Sequence, residues 1–283
     1  MPLRRRTLLA IALTPLAARA APPRTIVASF SILADLATQL AAGRATVTAI
    51  VGPDQDPHGF EPRPSQAAAI EAADLFLING LGLEPWARGI ARKPAIIAST
   101  TVRARRLDGA PDPHAWQNVE NAMIYAANIT TALLAADPAG TDAYRAAAAA
   151  YRTRLATLHD ATKSTLAAIP RARRRVVTTH DAMFYFGAAY GIDFLAPQGL
   201  ATGSEPTPRA FAALARQIKR DHITALFLDG AARSPLLETL ARESGARIGG
   251  RLFADSLSPP DGPASTYVDM IEHNRRTIVE ALA

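Results

Sequence analysis

The chain has 283 residues, 49% of them hydrophobic and 20% charged, which suits one or two globular domains with real cores. Its formal charge is +6, but Arg4, Arg5, Arg6 and Arg19 lie in the first twenty residues, and without those four the charge falls from +6 to +2, so the basic balance is no argument for nucleic acid. There is no cysteine, which excludes disulfides, zinc–thiolate sites and cysteine nucleophiles.

Residues 1–20 read as a signal peptide. Arg4 to Arg6 form a basic start, Leu8 to Ala17 an apolar stretch too short to span a bilayer, and Ala18-Arg19-Ala20 a small-x-small cleavage pattern. Arg5-Arg6-Thr7-Leu8-Leu9 also fits a twin-arginine signal, with a plain secretory signal as the alternative. With no cysteine to carry a lipid, the expectation is a protein free in the periplasm and not lipid-anchored. The clusters Arg103/Arg105/Arg106 and Arg171/Arg173/Arg174/Arg175 read as solvated surface.

From Thr25 the chain alternates short apolar runs with helical stretches. Thr25 to Phe30 predicts a strand, and Ser31 caps a helix over 32–42. Thr46 to Val51 is a second strand, followed by a helix from Ser65 to Ala73. Strands over 74–79 and 95–98 flank a helix near Pro85 to Arg92. This alternation implies parallel βαβ units. The middle is purely helical: one helix to Ala136, then Asp137-Pro138 as cap and first turn of a second helix running to about Ile169. After Pro170 the alternation resumes. Strands are predicted over 176–179, 192–195, 223–228 and 246–253. The helices between them cover 182–190, 209–220 (capped by Thr207) and 235–244 (ended by Gly245), with a closing helix over 265–282. The reading is an α/β chain of two βα lobes with parallel sheets joined by a long rigid helix. Its segments are a signal peptide (1–20), a first lobe (21–136), the connecting helix (137–169) and a second lobe (170–283).

Four chemistry-bearing residues stand just past strand-like runs: His58 in Gly52-Pro53-Asp54-Gln55-Asp56-Pro57-His58, His114 in Asp112-Pro113-His114, His180 after Val176-Val177-Thr178-Thr179, and Asp255 after the last strand. Ligands bind at the carboxyl ends of strands in open parallel sheets, and three imidazoles with one carboxylate make a complete shell for a divalent transition metal. Two of the four belong to each lobe, so an ion held by all of them sits in the cleft between the lobes. Prolines before His58 and His114 stiffen those loops. His159, His222 and His273 read as surface or core residues. Asp229 ends a strand at the cleft edge, as a helix cap or as a partner to a ligand histidine. Glu205 reads as a loop residue, and Trp116 and Asn118 as neighbours of the site or as core. A periplasmic metal-dependent hydrolase is the alternative, with Asp255 as base instead of ligand and an open position for water.

These motifs, together with Glu61-Pro62-Arg63-Pro64-Ser65, Ala115-Trp116, Asp181-Ala182, Tyr185-Phe186 and Phe253-Ala254-Asp255-Ser256-Leu257, resemble the metal-binding solute-binding proteins of ABC importers, the cluster A-I zinc and manganese family. The resemblance spans the mature chain. It implies two small lobes on a backbone helix, a metal between them, and His58, His114, His180 and Asp255 as its ligands, with no catalysis. It further implies a membrane permease with its ATPase as partners, a metallochaperone as a candidate donor, and a monomer. The stretch Leu107-Asp108-Gly109-Ala110-Pro111 lacks the His-rich loop of many zinc importers, whereas His180 stands where many manganese members carry glutamate. The nitrogen-rich set favours zinc over manganese.

Overall fold

The computed structural model describes residues 23–90, 92–200, 207–230 and 234–283; the expected signal peptide and Glu205 lie outside them. The first sheet is built from β1 (Arg24–Phe30), β2 (Ala45–Val51), β3 (Leu75–Ile78) and β4 (Ile96–Ile97), all parallel, in the order β2-β1-β3-β4. A short antiparallel hairpin follows, β5 (Arg106–Leu107) with β6 (Ala110–Pro111). The second sheet contains β7 (Arg175–Val177), β8 (Asp193–Leu195), β9 (Ala225–Asp229) and β10 (Arg247–Leu252), again parallel, in the order β10-β9-β7-β8. Counted within each sheet, both have the order 2-1-3-4. The two lobes therefore share one topology although their sequences show no close repeat.

The helices are α1 (Ser31–Leu40), α2 (Pro64–Ala72), α3 (Val119–Ala136), α4 (Thr141–Ala167), α5 (Phe184–Tyr190), α6 (Pro208–Arg220), α7 (Pro235–Ser244) and α8 (Tyr267–Leu282). The 27 residues of α4 span about 40 Å at the α-helical rise. Its buried stripe, Tyr144, Tyr151, Leu155, Leu158, Thr162 and Leu166, recurs at three-, four- and seven-residue intervals. One apolar core runs from Phe30 and Ile129 through Tyr151 and Leu155 to Phe186 and Phe227. A smaller core under α6 and α7 gathers Val177, Leu214, Ile218 and Leu237.

Several local expectations fail for identifiable reasons. Ser31 does not cap α1; Phe30 holds the cap position, and the Ser31 hydroxyl accepts the Leu257 backbone N–H from the second lobe at 3.0 Å. The helix expected near Pro85 is a single 3-10 turn over Pro85–Ala87, because Glu84 spends its carboxylate on Ser29, Asn79 and Gly80. Asp137 does not cap α4. Its Oδ2 takes bonds from Arg44 (2.7 and 2.9 Å) and Tyr144 (2.9 Å), and a 3-10 turn over Pro138–Gly140 precedes the helix. Thr207 and Ser234 do cap α6 and α7. The arginines of 171–175 are not simply solvated. Arg174 donates to Ile169 O and Ala167 O at the end of α4, Arg173 to Leu282 O at the end of α8, and Arg175 pairs with Asp193 and Asp221. Guanidinium groups at these carbonyl ends complement the helix dipoles.

Candidate metal centre

All four ligand candidates lie at carboxyl ends of strands: His58 after β2, His114 after the β5–β6 hairpin that follows β4, His180 after β7 and Asp255 after β10. The tripeptide Asp-Pro-His occurs twice and does the same local work twice. Asp56 Oδ1 accepts the His58 N–H at 2.8 Å, and Asp112 Oδ1 accepts the His114 N–H at 3.0 Å, so each aspartate closes a tight turn that aims the imidazole inward. At the second turn the same oxygen also meets His114 Nδ1 at 2.8 Å.

The four side chains bring one donor atom each to within 4.8 Å of one another. His58 Nε2 lies 3.2 Å from His114 Nε2. Asp255 Oδ1 is 3.3 Å from His114 Nε2 and 3.8 Å from His58 Nε2, and Asp255 Oδ2 is 3.1 Å from His180 Nε2. A tetrahedral ion with bonds of about 2.0–2.1 Å spaces its donors about 3.3 Å apart, so the cluster has the dimensions of such a shell. His114 and His180 are fully buried, and the His58 and Asp255 side chains are 10% and 7% exposed. His180 Nδ1, His180 Nε2 and Asp255 Oδ1 are buried without a well-aligned hydrogen bond. Buried polar atoms left in this way are costly, and a shared cation is what would satisfy His180 Nε2 and Asp255 Oδ1 together.

Carboxylates stand behind two of the imidazoles. Asp112 is 2.8 Å from His114 Nδ1, and Asp229 Oδ2 is 3.0 Å from His180 Nδ1. A carboxylate on Nδ1 favours the tautomer with the proton there, leaving the Nε2 lone pair free for a metal. Asp229 also accepts the N–H groups of Thr179 (3.1 Å) and His180 (3.0 Å). It is a partner of His180, not the helix cap that was the simpler expectation. The role of Asp112 is signalled in the sequence by its repetition of the Asp56 spacing. The His114 turn is braced from below, where Asn79 Nδ2 donates to Pro113 O at 3.0 Å and Tyr125 OH donates to Asn79 Oδ1 at 2.5 Å.

Electrostatics follow from this packing. Burial works to lower the His180 pKa, but the Asp255 and Asp229 charges outweigh it and hold the imidazole well above its ordinary 6.5. For His114, burial is likewise outweighed, by hydrogen bonds to Asp112 and Asp255. Burial would raise Asp255, yet the His180 charge and contacts with the imidazoles hold it well below the usual carboxylate range. The carboxylates thus favour the protonated imidazoles where no other cation competes.

The other expected neighbours fall into place. Trp116 is fully buried at the lobe interface, where its Nε1 donates to Ala254 O at 2.8 Å, next to Asp255. Asn118 accepts the Glu120 N–H and caps α3. His159 contacts the Tyr190 hydroxyl and His273 the Arg251 carbonyl, both away from the cluster.

The chain resembles known proteins over most of its length. The family model described as zinc-uptake complex component A, periplasmic, matches residues 26–281. The manganese-binding lipoprotein MntA of Halalkalibacterium halodurans is 34% identical, with 91% of this chain and 88% of that protein covered. The iron ABC transporter substrate-binding lipoprotein MtsA of Streptococcus pyogenes is 31% identical, again with 91% and 88% covered. The solved periplasmic zinc-binding protein TroA of Treponema pallidum superposes with a TM-score of 0.88 at 28% identity, over 92% of this chain and 99% of that one. The expectation of a protein without a lipid anchor does not survive the comparison, because the Halalkalibacterium and Streptococcus relatives are both named lipoproteins. The lack of a cysteine excludes a lipid held on sulfur and was no ground for placing the protein free of the membrane. These relatives are named as manganese-binding, iron ABC transporter substrate-binding and zinc-binding proteins, which leaves the hydrolase alternative without support. The chain belongs to the family of metal-binding, substrate-binding components of ABC transporters described as zinc-uptake complex component A, and it is not an enzyme.

Proposed function

We propose that His58, His114, His180 and Asp255 together hold one divalent transition ion, zinc in preference to manganese, and that this chain delivers it as a monomer to a permease driven by an ATPase. In this reading a first lobe (21–136) and a second (170–283) close on the ion, with 137–169 as a stiff spacer. The observation that carries it is the convergence of four donor atoms within 4.8 Å from loops on both lobes. Three neutral nitrogen donors and one carboxylate suit zinc, which outranks manganese at such sites.

A manganese reading has one observation in its favour. Both Asp255 oxygens turn into the cluster, Oδ1 toward His114 and His58 and Oδ2 toward His180. A bidentate carboxylate raises the coordination number above four, as a harder ion prefers. Competitive titration of metal-free protein with zinc and manganese, alongside His180→Ala, separates the readings. Tight 1:1 zinc binding well above manganese and lost in the variant is expected. Manganese retention equal to or above zinc overturns the zinc preference, and a folded protein that binds neither overturns the ligand set.

A further inference from the structure

Arg105 precedes the β5–β6 hairpin of the first lobe, and its guanidinium reaches across to the second. Nη1 and Nη2 lie 3.0 and 2.8 Å from Asp181 Oδ1 and Oδ2, a two-pronged pair with the residue next to His180. Nη1 also lies 3.2 Å from Asp112 Oδ2, whose other oxygen contacts His114 Nδ1. The same guanidinium sits 3.9 Å from the centre of the Phe184 ring. Backbone contacts run parallel to it. The Arg105 N–H donates to Tyr185 OH at 2.8 Å, and that hydroxyl donates to Asp112 O at 3.2 Å. The Arg105 and Asp181 side chains are 19% and 20% exposed and Asp112 is fully buried, so the bridge is partly shielded from the screening that makes surface pairs weak.

We infer that Arg105 is a positioning residue that locks the His114 turn of one lobe to the His180 turn of the other, and so sets how slowly a bound ion leaves. The inference rests on the ligand set proposed above. A planar, forked guanidinium fits both carboxylates at once, which an ammonium cannot do. The ion cannot leave without separating groups from the two lobes, and the bridge opposes that separation on the side where two of the three imidazoles stand. Asp181 is the informative partner. Replacing it with asparagine removes the negative charge and one of the two acceptors of the crossing half, leaving Asp112 paired and the residue-181 N–H still donating to Gly199 O.

The experiment is a chelator chase of Zn2+-loaded full-length protein, with association rates and metal-free melting measured in parallel for wild type, Asp181→Asn and Arg105→Lys. Zinc release from Asp181→Asn is expected to rise about tenfold, the lower end for outer partners of a metal site. Association should stay within about twofold, since changes within one interface fall mostly on the off-rate, and metal-free melting within about 4 °C. Arg105→Lys should fall between wild type and Asp181→Asn. Release at the wild-type rate in both variants overturns the inference. So does a loss of metal-free stability with association and release changed alike, which marks a purely structural residue. Wild-type protein that holds no zinc overturns the ligand set itself and this inference with it, and is seen in the control before any variant is read.

Discussion

At the residue scale, the candidate site rests on carboxylates outside the proposed ligand set. Asp229 serves three groups, the N–H of Thr179, the N–H of His180 and His180 Nδ1. Asp229→Ala leaves all three without that acceptor, and zinc affinity is expected to fall about 10- to 100-fold, read by competition against a chelating dye. The proton equilibria of the metal-free protein give a second prediction. His114 and His180 have raised folded pKa values, so their stabilising contribution is complete below the ordinary 6.5 and is lost as pH rises through the folded values. Asp255 is lowered, so its contribution is present above 3.8 and is lost as pH falls through its folded value. Metal-free protein should therefore melt higher near pH 6 than near pH 8.5. Zinc must displace those protons, so its affinity should climb over the same interval and keep climbing above 6.5. Thermal melts with chelator, set beside titrations at each pH, check the opposite slopes; parallel slopes would contradict this account of the cluster.

At the element scale, α4 and α5 both pack into the main core. The Tyr151 hydroxyl on α4 is buried without a hydrogen-bond partner among the described residues, and burial raises its pKa. Removing an unpaired buried hydroxyl is neutral or favourable, so Tyr151→Phe should leave the melting temperature unchanged or higher by scanning calorimetry. Gly187 on α5 is the reverse case. A Cβ there would run into the Ile192 backbone carbonyl and press on Phe194 of β8. Gly187→Ala should lower stability by about 1–3 kcal/mol, the usual cost of overpacking, measured by urea unfolding. The β5–β6 hairpin is the element that sequence reading passed over. Asp108 and Gly109 both take positive φ, 50° and 84°, as the two central residues of a tight hairpin turn require. The Asp-Gly signal was in plain view, but two-residue strands are too short to show any alternation.

At the scale of the whole molecule, the main core is shared by the two lobes, and the smaller core under α6 and α7 belongs to the second alone. Trp116, Phe30, Tyr267 and Leu257 belong to one apolar cluster that crosses between the lobes. Trp116 Nε1 and Gln117 Nε2 both donate to Ala254 O, at 2.8 and 2.6 Å, and Tyr267 OH donates to Trp116 O at 2.7 Å. Trp116→Ala should cost about 3–5 kcal/mol, in the range for large aromatic truncations. Because it undercuts the segment carrying Asp255, it should also weaken metal retention, as unfolding and chelator-chase data on one preparation would show. A core shared across the interface favours small movements of the ligand loops over wide opening of the lobes.

The amino-acid sequence alone determined the alternation of strands and helices, the long connecting helix and the four strand ends bearing His58, His114, His180 and Asp255. Each of these is written in local periodicity, in turn residues and in the placement of a rare side chain after an apolar run. Tertiary structure alone decided what supports them. Asp112, Asp229 and Arg105 acquire their roles from partners 2, 49 and 76 residues away. Of these, only the Asp112 contact lies within the reach of a motif. Ser31 and Asp137 carried correct capping chemistry for their positions and were drawn instead to Leu257 and Arg44, since a buried backbone group or a guanidinium offered the stronger demand. The shared 2-1-3-4 order of the two sheets was likewise out of reach, because strand order depends on which strands pack side by side, and that is settled by the core and not by any single strand.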